Sequence, residues 1–187
     1  MAGRQQRRRP PVTDGLMTTT GAVPAVAIRT CAAIIESNEI CLIRRARPDG
    51  DQYSLPGGLL HPDEEVPAAL ARELKEELDL DVTALPDRPR LRWAQDQLTT
   101  RPGRTGTFRR LHLIHLLPLP RHVRATLPTT EQDAEDVTSV VWVPLAQAAR
   151  LHLYPAIGTA LSELTAPAGP PNDVLLPPIT DQTYTWR

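Results

Sequence analysis

Between residues 57 and 80 the chain reads GGLLHPDEEVPAALARELKEELDL, and the glutamates in it are spaced for chemistry. On a helix, Glu73, Glu76 and Glu77 fall at offsets 0, 3 and 4, which puts Glu76 and Glu77 within about 60° of Glu73 on either side. Carboxylates crowded on one face repel one another by roughly 0.2–0.5 kcal/mol per neighbouring pair. Arg72 and Lys75 offer partial relief, and a divalent cation offers full relief. Hard oxygen donors at this density suit Mg2+ or Mn2+ rather than zinc. Upstream, Gly57 and Gly58 let the backbone approach the helix closely, so that a main-chain carbonyl can join the carboxylates. The glutamates alone are better explained as a solvated acidic face. The diglycine turn and Glu64 shift the balance toward a metal site.

The pattern Gly58, five residues, Glu64, seven residues, Arg72-Glu73-Leu74, one residue, Glu76-Glu77 and then Leu80 resembles the Nudix box, at eight of its nine defined positions. The departure is Asp79, where the family has glycine. That position lies just past the helix end, where a left-handed residue is wanted. Aspartate tolerates this conformation better than most residues, so the change costs some stability and leaves the chemistry alone. Tyr53-Ser54-Leu55-Pro56-Gly57-Gly58 also resembles the family's aromatic-x-Leu-Pro-Gly-Gly lead-in.

The resemblance implies an α/β/α sandwich with a mixed sheet and the box helix packed against it. It implies hydrolysis of a pyrophosphate bond in a nucleoside diphosphate linked to another moiety, with Mg2+ or Mn2+. Carried over position by position, Glu73, Glu76 and Glu77 are metal-binding carboxylates and the Gly57 carbonyl is a further ligand. Arg72 orients the glutamates; Gly58 and Glu64 are structural. The physics agrees, because a highly anionic pyrophosphate resists attack until cations neutralise it and acidify the water. A carboxylate must then take the proton. It is either a box glutamate or an acid on a loop ahead of a later strand. There TEQDAEDV offers Glu131, Asp133, Glu135 and Asp136, with Glu135 the first choice and Glu131 next.

Family members acting on ADP-ribose often carry a proline where this chain has Gln95 and Asp96. Those acting on dinucleoside polyphosphates often carry a tyrosine where it has Gln97 and Leu98. The expectation is therefore a nucleoside triphosphate or nucleotide-sugar type substrate. A catalytically silent nucleotide-binding relative is the competing reading, disfavoured because every acidic box position is intact. Prenyl diphosphate isomerisation needs a cysteine at the metal, and Cys31 and Cys41 fall on an early hairpin instead.

Several elements must position these residues. VAIRTCAAIIE and EICLIRRA read as strands around a Ser37-Asn38 turn. A two-residue loop there sets Ile35 opposite Ile40 and Cys31 opposite Arg44, and keeps the two cysteines about 10 Å apart, beyond the ~7 Å limit for a disulfide. A short strand at 52–55 precedes the glycine turn, and the spacing predicts a helix over 66–78. Its Leu70, Leu74 and Leu78 form a stripe that buries against a sheet. Strands follow near 90–97 and 108–117, then VTSVVWVPL, then helices at 146–151 and 155–164. Strands mixed with helices argue an α/β sandwich over residues 23–166.

The flanks differ. Residues 1–22, with Arg4, Arg7, Arg8 and Arg9, read as a disordered basic arm. Residues 167–187 carry five prolines between Pro167 and Pro178, which forbids a helix or central strand. Val174, Leu175, Leu176, Tyr184 and Trp186 are too apolar for a free linker, so this arm is expected to drape over the body and to support a homodimer.

A 187-residue chain with net charge −1 carries no global field toward nucleic acid or anionic membrane. With 41% apolar residues, two cysteines and no membrane-length apolar run, a cytoplasmic setting fits best. Tyr53, Trp93, Phe108 and Trp142 are candidates for base stacking, though packing is the better explanation of each. Arg101, Arg104, Arg109 and Arg110 are candidate phosphate clamps or a solvated hairpin tip. His61 reads as an exposed loop residue beside the site. His112 and His115, three apart on a strand, face opposite sides. No zinc spacing exists among the five histidines and two cysteines.

Overall fold

The computed structural model describes residues 26–103, 105–132, 137–164 and 173–186. Eight strands form one mixed sheet: β1 (Ala27–Glu36), β2 (Glu39–Arg45), β3 (Gln52–Ser54), β4 (Arg90–Thr100), β5 (Thr107–Pro118), β6 (Thr138–Pro144), β7 (Leu153–Tyr154) and β8 (Leu175–Thr180). The strand order is β7-β3-β2-β1-β5-β4-β8, with β6 on the other edge of β2. The helices are α1 (Val66–Leu78), α2 (Arg121–Arg124), α3 (Leu145–Ala148) and α4 (Gly158–Leu164).

Alternation along β1 divides the core. Ala32 and Ile34 face one layer with Leu70, Leu74 and Leu78 of α1. Cys31 and Ala33 face the other with Ala148 of α3 and Ala160 and Leu161 of α4. The result is the expected α/β/α sandwich with α1 against the sheet. Each leucine of the α1 stripe is fully buried, worth about 1.5–3 kcal/mol apiece. The helix starts with proline in its first turn and stops at Asp79, which is left-handed at φ 52°. Its N–H reaches the Lys75 carbonyl at 3.0 Å, and the Leu80 N–H reaches Leu74 at 3.1 Å.

The early hairpin is corrected in part. Ile35 does sit opposite Ile40, but β1 and β2 stay paired for only two residue pairs. Along its opposite edge β1 runs parallel to β5 from Ala27 to Ile35, and Arg44 pairs with Tyr53 of β3 instead of Cys31. The separation opens the β1 edge, and the segment 56–60 fills it. Thr30 N–H bonds to the Gly58 carbonyl at 2.9 Å, Ala32 N–H to Pro56 at 2.9 Å, and Leu60 N–H to Ile28 at 3.0 Å. The proline-rich C-terminal segment also does more than drape: β8 pairs in parallel with β4 at the sheet edge, where prolines are tolerated. The expected basic arm at 1–22 lies outside the described residues. No helix among the described residues is long and apolar enough to cross a membrane.

Both cysteines are unpaired and fully buried. Burial pushes the Cys31 thiol up to about 11 and the Cys41 thiol up to about 12. Neither thiol should react with a disulfide reagent at pH 8 in native protein, and both should react once it is unfolded. Asp79→Gly should raise stability by about 0.5–1 kcal/mol in a thermal melt, because it relieves a left-handed side chain at the expense only of an exposed Lys75 pair.

Candidate active site

The site begins where the chain passes between β1 and α1. Gly57 has φ 129°, and a Cβ there would strike the Thr30 carbonyl and the Cys31 Cα. A Cβ on Gly58 would strike the Glu73 carboxylate. The close approach expected of the two glycines is therefore specific: Gly57 lets the turn lie on β1, and Gly58 leaves room for an acidic side chain.

Arg72 gathers most of the acids. Its Nε and Nη2 donate to the two oxygens of Glu64, each at 2.9 Å. Its Nη1 donates to Glu73 at 2.8 Å and to Glu76 at 3.0 Å. Nη2 also reaches the Leu59 carbonyl at 3.2 Å. Arg72 is thereby held above its ordinary range, chiefly by Glu64. Reciprocally, the Arg72 hydrogen bonds hold the Glu64 carboxyl down at about 2. Glu64 also accepts from the His61 N–H at 3.3 Å, which ties the loop to the helix.

Glu77 points elsewhere. It is buried, and it accepts the Gly57 N–H at 2.7 Å. Burial pushes its carboxyl upward, and neighbouring Glu131 adds to the shift. Glu131 is itself buried and is clamped by Arg45 Nη2 at 2.7 and 2.6 Å. Arg29, also buried, donates Nη2 to the carbonyls of Gly57 and, at 3.0 Å, Leu55. Sequence reasoning missed both Arg29 and Arg45. The available signal was parity: an arginine at 29 shares its face of β1 with Cys31 and Ala33.

The donor set fits a hard divalent cation. Glu73, Glu76, Glu77 and the Gly57 carbonyl are all oxygen donors on two adjoining segments, and Glu77 is a buried carboxyl whose ionised form needs added positive charge. In the arrangement described, arginines supply that charge. Glu73 and Glu76 turn toward Arg72, and the Gly57 carbonyl accepts from Arg29. Among the described residues, no three carboxylate, histidine or cysteine side chains converge closely enough to hold an ion as they stand.

Of the other sequence candidates, Glu135, Asp133, Asp136 and Arg104 lie outside the described residues. Trp93 is core, and Trp142 lies beneath the Arg124 guanidinium at 4.3 Å. Arg109 is exposed and pairs with Asp96 at 3.0 Å. Arg110, by contrast, is buried and bonds the Tyr154 hydroxyl at 2.8 Å, so it is no solvated hairpin tip. His61 is exposed, as expected.

Comparison with known proteins points one way. A family model described as the NUDIX domain matches residues 26–164. A Mycobacterium tuberculosis protein named "Putative 8-oxo-dGTP diphosphatase 2" is 34% identical over 119 residues, covering 63% of this chain and 80% of its own. The mutator MutT protein of Bacillus halodurans superposes with TM-score 0.56 at 12% identity, over 74% of this chain and 82% of that one. The NUDIX domain of Shewanella oneidensis NrtR, solved with ADP ribose, gives 0.53 at 18%, over 74% and 88%. These two structures share the fold.

The Arg72–Glu64 pair has a signed pH consequence. A carboxyl at about 2 when folded and near 4.5 when unfolded adds stability above pH 4.5, lost as pH falls toward 2. Arg72→Met should move the acid-unfolding midpoint, followed by circular dichroism, to higher pH.

Proposed function

The chain belongs to the Nudix hydrolase family, and on that premise we propose that it hydrolyses a nucleoside triphosphate with Mg2+ or Mn2+ held by Gly57, Glu73, Glu76 and Glu77. Family membership makes it a pyrophosphohydrolase of nucleotides. The triphosphate assignment draws on the relative named for 8-oxo-dGTP. It also agrees with Gln95, Asp96, Gln97 and Leu98 standing where other subfamilies carry proline or tyrosine. The observation that carries the reading is the placement of Glu73 against Gly58 with Glu77 buried on the Gly57 N–H.

In the reaction, water adds to phosphorus, the bridging P–O bond breaks, and nucleoside monophosphate and pyrophosphate leave. A divalent cation bound at these donors would neutralise phosphate oxygens and acidify the water. The residues of the chain do the rest. Arg72 fixes the rotamers of Glu73 and Glu76 while leaving Glu76 half-exposed, with its side chain at 45%. That exposure suits Glu76 to accept the proton of the attacking water at its carboxylate. Both oxygens of Glu131 are occupied by Arg45, which fits it for positioning Glu77 rather than for taking a proton. Glu135, the loop acid preferred from the sequence, is the other proton acceptor to test.

Release of nucleoside monophosphate should be followed across canonical and oxidised nucleoside triphosphates, nucleotide sugars, ADP-ribose and dinucleoside polyphosphates. The expected result is preference for a triphosphate, loss of activity in EDTA, and recovery with Mg2+ or Mn2+. Glu76→Gln with Glu77→Gln should lower kcat/KM by at least about 100-fold. An unchanged rate in that double variant overturns the reading.

A further inference from the structure

On the face of the sheet turned away from α1, the end nearest Gly57 is polar where the remainder is apolar. Arg29, Gln97, Arg110 and His112 are all buried there, beside Tyr154. Most of their polar atoms satisfy one another. The Tyr154 hydroxyl accepts from Arg110 Nη1 at 2.8 Å and donates to Gln97 Oε1 at 2.9 Å. His112 Nε2 lies 2.9 Å from the same oxygen, and Gln97 Nε2 donates to Thr99 at 3.0 Å.

Two donors are left over. Arg29 Nη1 and Arg110 Nε are buried without a hydrogen-bond partner. Each arginine is 8% exposed, and neither makes an ion pair with a carboxylate among the described residues. Arg29 faces the Glu77 carboxyl across the Gly57 turn, but it also faces Arg110, and Arg101 is a third cation close by. Burying a charge without a directly paired partner is costly, so among the described residues these two guanidinium groups are short of anionic partners.

The C-terminal segment packs on Tyr154 at the margin of this polar end. Tyr184 stacks on His152 with centroids 4.6 Å apart, and its hydroxyl accepts from Gln52 Nε2 at 3.1 Å. Trp186 lies 5.3 Å from the Tyr154 ring and 4.9 Å from the Arg101 guanidinium. Its indole N–H and Arg101 Nε are two further buried donors without a hydrogen-bond partner.

We propose that Arg29 and Arg110, bordered by Trp186, form the site that holds the phosphate chain of the nucleotide, entered where Trp186 lifts. Arg29 Nη1, Arg110 Nε, Arg101 Nε and Trp186 Nε1 are unpartnered donors against one unpartnered ring nitrogen, His112 Nδ1, an excess that calls for a ligand rich in acceptor oxygens. Planar guanidinium forks match phosphate geometry. Arg29 also links this site to the candidate active centre, since its other nitrogen caps the Gly57 carbonyl. The inference rests on the nucleotide-hydrolase reading for the identity of the ligand and on the two orphaned guanidinium donors for its place.

Calorimetric titration in EDTA, with pyrophosphate and separately with GTP, tests it without turnover. Both should bind the full-length protein saturably. Arg29→Gln and Arg110→Gln should each weaken both ligands by about tenfold or more. Arg109→Gln, on an exposed arginine, should not. The ligand-free Arg110→Gln variant should melt at or above the wild-type temperature, because an unpaired buried charge has been removed, whereas a merely structural arginine would lower it. Trp186→Ala should speed association. Independently of any variant's folding, the wild-type Arg110 Nε–H resonance should shift as pyrophosphate is added. Absence of binding by the wild type, or binding retained in both glutamine variants, overturns the site. If those variants still hydrolyse a triphosphate with wild-type KM, the site falls while the enzyme reading stands. If arginine-dependent binding occurs with no hydrolysis of any nucleotide, the site stands and the enzyme reading falls.

Discussion

Crowding Glu64, Glu73, Glu76 and Glu77 around one helical turn demands positive charge among them, and Arg72 supplies it to three of the four. One planar fork accounts for the ordered Glu64 loop and for the shared orientation of Glu73 and Glu76. A lysine in its place could not satisfy two oxygens of Glu64 and two further carboxylates at once. Glu77 lies beyond its reach and depends on the Gly57 amide instead. The diglycine turn is thus as much an electrostatic device as a steric one: Gly58 makes room for one carboxylate, and Gly57 donates to another.

The surrounding fold exists to bring that turn and that helix together. The α1 leucines bury on the sheet face formed by Ala32, Ile34 and Cys41, which sets the acidic face of the helix against the opened β1 edge. That edge is open because β1 leaves β2 after two pairs, while β5 pairs in parallel along the opposite edge of β1. Local residues supply the acids, while long-range pairing supplies the ledge on which the glycines rest.

This division explains what was legible in the residues. The bounds of α1 follow from leucines four apart, proline in the first turn and an aspartate able to turn left-handed at the end, all local signals. The Ser37-Asn38 turn fixed only its nearest pairs. It carried no information about Arg44, whose partner is decided by β3 and β6. The edge strand β8 was hidden by its own prolines, which argue against a central strand and say nothing against an edge one. Arg110 reads as a phosphate clamp or part of a solvated hairpin tip, and Arg29 as no more than one residue of a strand. Both are buried against Tyr154, more than forty positions downstream of Arg110 in the chain.

The central proposal, that Gly57, Glu73, Glu76 and Glu77 form one divalent-cation site, is tested most directly by electron paramagnetic resonance of Mn2+ titrated into the protein. The account predicts saturable binding in the wild type, abolished when Glu73, Glu76 and Glu77 are together replaced by glutamine in a variant that keeps its native circular dichroism. Equal Mn2+ affinity in the two proteins would contradict it.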